Sequence, residues 1–234
     1  MNRRRILFVF IAAAITFFIW QQTEASYNGV PLKKSPLRHD VKLHSSQQLE
    51  EIIILPEKSF DEDETRAIIY RLDHLPARLL EKINNQEIKV RLFTEELTDF
   101  SSTSHLKGVT PRGYTNKSTT WDDVPGIGGS KLVLVKIGYS EKGMGHGSIN
   151  LELHELAHSV DRYVWNGIYY DMSFLPVWKQ EAPLLFPGEN YFIQYKEEYF
   201  AETFAMYFLN LRTKKLLKEK APATYNYFEE MESL

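Results

Sequence analysis

The chain has 234 residues, a formal net charge of −3 with both signs interspersed, and no cysteine. That balance offers no basic face to a nucleic acid or an anionic membrane. The missing cysteines exclude disulfides, thiolate metal ligands and a cysteine nucleophile, so stability must come from an apolar core, with a bound metal as a further source. In chain order, the first segment reads MNRRRILFVFIAAAITFFIWQQTEAS. Arg3, Arg4 and Arg5 precede an apolar run over residues 6–20, followed by polar residues and a Thr23-x-Ala25 step. This is the layout of a secretory signal over residues 1–25. The run of 15 residues is short of the ~20 that span a bilayer. An uncleaved anchor is the rival reading, because Phe17, Phe18 and Trp20 make a bulky end to the run. Export implies a secreted, extracellular protein without stable membrane association once the signal is cut.

Residues 26–47 are polar and basic with two prolines, and read as a flexible leader. The remainder, 48–232, is long enough for one large domain or two small lobes. EEIIILP reads as a short strand ending at Pro56. Over residues 61–84 the apolar positions Ile68, Ile69, Leu72, Leu75, Leu79, Leu80 and Ile83 recur at helical spacing, and Pro76 splits the segment in two. EIKVRLFT (87–94) alternates as a strand, and KLVLVKIG (131–138) reads as a second, more buried one. Between them lies a long irregular segment, 95–130, which is functional or disordered by its length. Trp121, Val124, Pro125 and Ile127 argue against disorder. From Ser148 onward the pattern is helical: one helix carries LHELAHSVD, another runs over about 194–211, and a last pair breaks at Pro222. The fold class is α+β, with a small N-terminal lobe of helices and a short mixed sheet, an all-helical C-terminal lobe, and a cleft expected between them.

LHELAHSVD carries the chemistry. His154 and His158 are four apart, so on a helix their imidazoles reach the same point. Neutral imidazole is a good zinc ligand. Glu155 sits beside the open coordination position, where a carboxylate can take a proton from water. Leu153, Leu156, Ala157 and Val160 surround the polar trio with small or apolar groups, the setting of a buried helix rather than a solvated one. A catalytic zinc site needs a third protein ligand. Val164 stands where a metzincin would place a histidine, so a downstream glutamate is expected. KEEYFAETFAMYF offers Glu198 and Glu202 on one face, with Glu197 about 100° round the helix from Glu198.

LHELAHSVD followed by EEYFAETFA resembles the zinc peptidase domain of anthrax lethal factor and its relatives. A nearer likeness is to the secreted Pro-Pro endopeptidases of Gram-positive bacteria. LEEIIILPE, VTPRGY, TTWDDVPGIGG, IGYSEKGMGHGSINLELHE, EEYFAETFAMYFLN and APATYNYF all share in it, over roughly 48–232. The resemblance implies one Zn2+ per chain held by His154, His158 and Glu198, with Glu155 as general base and Tyr191 as oxyanion donor. It makes Glu202 the group that orients a ligand histidine through its other ring nitrogen, with Asp161 a weaker candidate for the same task.

The resemblance also implies cleavage between two prolines in proline-rich extracellular or bacterial surface proteins; the sequence itself is silent on oligomeric state, and a monomer is the default expectation. A Pro-Pro peptide is stiff and lacks N–H donors, so its cleft should use aromatic walls and few backbone acceptors. Trp121 is the candidate wall. GMGHGSIN reads as a sheet edge along which substrate lies, with Gly143, Gly145 and Gly147 allowing close approach and His146 in contact. Glu197 matches a glutamate that pairs with a lysine two residues before the loop tryptophan. That position is Thr119 here, with Lys117 further back, so the loop-to-helix link is expected to be missing or rebuilt. Two rival readings are a lethal-factor-like toxin protease without a Pro-Pro requirement and a non-catalytic surface-binding domain on a zincin fold.

Overall fold

The computed structural model describes residues 29–113, 118–168 and 171–233. The signal segment 1–25 and Lys117 lie outside the described residues. Five short strands form one sheet: β1 (Val30–Pro31), β2 (Ile53–Leu55), β3 (Lys89–Phe93), β4 (Gly126–Ile127) and β5 (Leu132–Lys136). They lie in the order β1-β2-β3-β5-β4. The three inner strands are parallel, and β1 and β4 close the edges antiparallel. A parallel pair needs a crossover, and between β2 and β3 it is made by α2 (Glu62–Asp73) and α3 (Ala77–Asn85). Asp61 starts α2 by accepting from the N–H groups of Asp63 and Glu64, both at 3.0 Å. Pro76 separates the two helices, as its missing donor and fixed φ require.

The period-2 alternation of β3 and β5 feeds two cores. Val90, Leu92, Val133 and Val135 enter the main one, while Phe93 and Leu134 face a smaller cluster with Leu97 and Val124. Phe100, Trp121 and Ile127 pack against that smaller cluster. The long segment after β3 is therefore a cover for the second face of the sheet. Among its described residues, Phe100, Trp121, Val124 and Ile127 find their packing there.

Two sequence expectations are corrected. The segment read as a flexible leader is packed from Val30 onward: Val30 pairs with Leu55 and Pro31 with Ile54 on the sheet edge, and Leu32, Leu37 and Val41 are buried. Its apolar residues are isolated among charges, so composition hides them, and Pro31 tolerates an edge strand where no donor is needed. EEIIILP is part helix: α1 (Ser46–Ile52) buries Leu49 and Ile52 and passes directly into β2.

The C-terminal half is helical: α4 (Leu151–Tyr163), α5 (Phe174–Leu185), α6 (Asn190–Gln194), α7 (Lys196–Leu209), α8 (Leu211–Lys220) and α9 (Pro222–Ser233). Asn150 caps α4 by accepting from the Leu153 N–H at 3.0 Å. Leu151, Leu153, Leu156 and Val160 are buried along α4, each stabilising by about 1.5–3 kcal/mol. α4 packs lengthwise against α7. Phe200 and Phe204 of α7 meet Trp165 and Phe228 in an aromatic cluster behind it. Both lobes share one continuous core running from Leu32 to Phe228. No described helix is long and apolar enough to cross a membrane.

Candidate active site

The pairing of α4 and α7 brings the sequence candidates together. The Nε2 atom of His154 lies 3.2 Å from Glu198 Oε2, and that of His158 lies 3.5 Å from the same oxygen. One ligand atom from each of the three residues falls within a 4.8 Å spread, and the group could hold a metal ion. The donor set, two imidazole nitrogens and one carboxylate oxygen on two rigid helices, fits a divalent metal with a coordination position left open. Burial lowers the proton affinity of His154, but its hydrogen bonds with Glu198 and Glu202 outweigh this and push its pKa up to about 10. Burial raises the Glu198 carboxyl, and the two histidines overcome it, holding it well below the usual carboxylate range.

Glu202 stands one turn further along α7. Its Oε2 accepts from His154 Nδ1 at 3.2 Å, and its Oε1 accepts from the Ile149 N–H at 2.9 Å. His154 therefore presents Nε2 to the site. Beneath, Glu152 is fully buried and ion-paired with Arg71 of α2, whose guanidinium also donates to Ser140 Oγ at 2.8 Å. This anchors the first turn of α4 to the N-terminal lobe.

Glu155 projects from α4 toward the edge strand β4. Burial raises its pKa, against the pull of His154 and His158. The backbone after β4 runs flush with α4: a Cβ on Gly128 would fall 1.9 Å from the Glu155 carbonyl oxygen, and one on Gly126 3.0 Å from Leu151 Cδ1. Only glycine permits that approach, and it brings the Gly128 N–H onto the Glu155 carboxylate.

The cleft above these groups has a volume of ≈ 1190 Å³, with Trp121, Ile127, His146, Glu155 and Tyr191 among its walls. Tyr191 is on α6; burial, with the Glu198 carboxylate next to it, raises its phenol and keeps it protonated. Trp121 is held from behind by the smaller core and faces the cleft. GMGHGSIN is not a sheet edge. Its hydrogen bonds, from Gly143 N–H to the His146 carbonyl at 3.0 Å and from Met144 N–H to that of Glu141 at 3.1 Å, close a turn. A single bridge joins Glu141 to Asn150. The three glycines suit the turn, with Gly143 at φ +94° and Gly145 at φ +82°, and the exposed edge at the cleft is β4 instead. Gly145 and Gly147 still line the cleft.

His146 uses both ring nitrogens locally, at 2.7 Å from Ser148 Oγ and 2.7 Å from the Tyr139 carbonyl. Any substrate contact it makes is through its ring. Asp161 accepts from the Ile168 N–H at 2.5 Å and so serves the turn after α4, not a histidine ring. Burial pushes its pKa up to about 6. Sequence reading missed Arg112. Its Nη2 donates to Glu197 Oε1 at 2.8 Å and to Glu198 Oε1 at 3.1 Å, so of the two outcomes expected from Thr119, a link missing or rebuilt, the described residues show it rebuilt from Arg112. The only signal in the sequence was an arginine within VTPRGY, a stretch that shares in the family resemblance but carried no assigned role.

The family model of anthrax toxin lethal factor, N- and C-terminal domain, matches residues 40–231. The Pro-Pro endopeptidase of Clostridioides difficile (strain 630) is 40% identical over 183 residues, which is 78% of this chain and 82% of that protein. The Pro-Pro endopeptidase of Paenibacillus alvei is 36% identical over 190 residues, 80% of this chain and 87% of its own. The solved structure of the Pro-Pro endopeptidase from Paenibacillus alvei matches with a TM-score of 0.74 at 36% identity, covering 79% of this chain and 99% of that one. The chain belongs to the Pro-Pro endopeptidases of the anthrax lethal factor family.

Proposed function

We propose that this protein is an exported, monomeric zinc metalloendopeptidase that hydrolyses peptide bonds between two prolines in extracellular or cell-surface proteins. The observation that carries the reading is the convergence of His154, His158 and Glu198 in a cleft that also holds Glu155 and Tyr191. The names of the relatives support the Pro-Pro bond, and the N-terminal signal pattern supports export.

His154, His158 and Glu198 would hold the zinc, with Glu202 fixing the tautomer and direction of His154. When bound, zinc supplies Lewis acidity, polarising the scissile carbonyl and acidifying water. Glu155 takes the proton from the attacking water and returns it to the departing proline nitrogen; its raised proton affinity suits it to both halves of that transfer. Tyr191, still protonated, donates a hydrogen bond to the carbonyl oxygen as negative charge develops there. A Pro-Pro segment offers no N–H to β4 on the leaving side, so recognition falls to shape, with Trp121 packing on a pyrrolidine ring.

A peptide library in which proline is fixed or varied on either side of the bond, assayed with and without a zinc chelator, tests the reading. Chelator-sensitive cleavage confined to Pro-Pro is expected. Cleavage indifferent to proline would turn the reading toward a toxin-type protease, and no cleavage toward a binding domain.

A further inference from the structure

Arg112 lies 86 positions before Glu198, in the connection between β3 and β4, and its contacts converge on the start of α7. It donates to Glu197 Oε1 at 2.8 Å and to Glu198 Oε1 at 3.1 Å, and its guanidinium lies 4.0 Å over the Tyr195 ring. The other oxygen of Glu198, Oε2, faces His154 and His158. A carboxylate free to rotate can present either oxygen or both. Here one is already taken, and a single oxygen points at the imidazoles.

The next residue is fitted to the other functional side chain. Gly113 has φ +86°, and a Cβ there would fall 2.5 Å from the Tyr191 ring. Arginine and glycine together thus set Glu198 on one side and Tyr191 on the other from a single point in the loop.

We propose that Arg112 is a positioning residue that fixes Glu198 as a one-oxygen ligand for a divalent metal ion and, through Gly113, keeps that ligand in register with Tyr191. The inference rests on the zinc reading above and deepens it. Half of the Arg112 side chain is exposed, so its pairing with Glu197 is worth little as an ion pair; its value is geometric. Lysine is no substitute: an ammonium could donate to two carboxylates as Nη2 does, but it has no planar guanidinium to lie over the Tyr195 ring and fix the direction of those bonds.

The test uses the full chain and its Arg112→Gln and Arg112→Lys variants. Zn2+ affinity is measured by competition with a chromophoric chelator, the visible spectrum is recorded with Co2+ alone, and kcat and KM are measured on a Pro-Pro peptide. Arg112→Gln is expected to weaken zinc about ten- to hundredfold. It should also alter the cobalt absorption as the freed carboxylate adds its second oxygen, and lower kcat more than it raises KM. Arg112→Lys should recover little of this. Wild-type zinc affinity and cobalt spectrum in Arg112→Gln overturn the proposal, as does a change confined to KM, which would assign Arg112 to substrate. If Arg112→Gln fails to fold, Arg112→Lys carries the same two metal readouts, and wild-type values there overturn it. A wild-type protein that binds zinc but spares Pro-Pro peptides sinks the substrate reading alone, and the metal measurements still decide this one.

Discussion

Glu202 joins His154 to the chain just ahead of its own helix: one carboxylate oxygen accepts from the imidazole Nδ1 at 3.2 Å and the other from the Ile149 N–H at 2.9 Å. A glutamine has only one accepting oxygen, so Glu202→Gln must abandon one of the two donors. Zinc affinity is expected to fall about ten- to hundredfold with the fold retained. Chelator competition measures it, and unaltered affinity would remove Glu202 from the support of the metal centre.

Glu155→Gln should separate chemistry from structure. The amide keeps the size of the side chain but cannot take a proton, so kcat is expected to drop by about 10²–10⁴. Metal content by elemental analysis and far-UV circular dichroism should match the wild type. Residual activity within a fewfold of wild type would mean that another group is the base.

Gly128→Ala tests the contact between the edge strand and α4. The new methyl would overlap the Glu155 carbonyl oxygen, an atom of helix backbone that cannot swing aside. The expected loss is about 1–3 kcal/mol or more. In a chain of this size, each kcal/mol lowers Tm by about 2–4 °C. Calorimetry that finds Tm unchanged would show that the strand is free to withdraw.

Asp122 gives the loop a pH signature. Hydrogen bonds from the Thr98 hydroxyl, the Gly108 N–H and the Thr120 hydroxyl pull its pKa from 3.8 down to about 2. A depressed folded-state pKa adds stability that is complete above 3.8 and is lost as pH falls toward 2. Asp122→Asn should therefore unfold at lower denaturant than wild type at neutral pH, with the gap closing between pH 4 and 2. A gap that persists unchanged at the acid end would show that the carboxylate charge is not what holds the loop.

The parts of this site that sequence made legible are those with local geometry. His154, Glu155 and His158 follow from a four-residue spacing that any helix obeys, and Pro76 announces the break between α2 and α3. Glu198 was one of three glutamates within six positions, and only the family resemblance selected it; side-chain direction, not spacing, decides among them. β4 is two residues long and carries no alternation to read. Leu32, Leu37 and Val41 were hidden because isolated apolar residues in a polar segment find their partners only in three dimensions. Arg112 was illegible for the same reason at larger scale, since nothing local says which helix an arginine in a loop will meet.

The continuous core from Leu32 to Phe228 has a mechanical consequence. Rigid-body hinge closure requires two bodies with a weakly packed seam, and here the seam is filled by α4, which packs on β4, β5 and α2 on one side and on α7 on the other. The cleft is a furrow in one solid, so it cannot gape. Access for a polypeptide must come from displacement of the rim, where Lys142 of the 141–147 turn meets Glu189 ahead of α6 at 3.4 Å. Motion slow enough to limit turnover should therefore be confined to that short contact and the loop bearing Trp121, with α4 and α7 standing still.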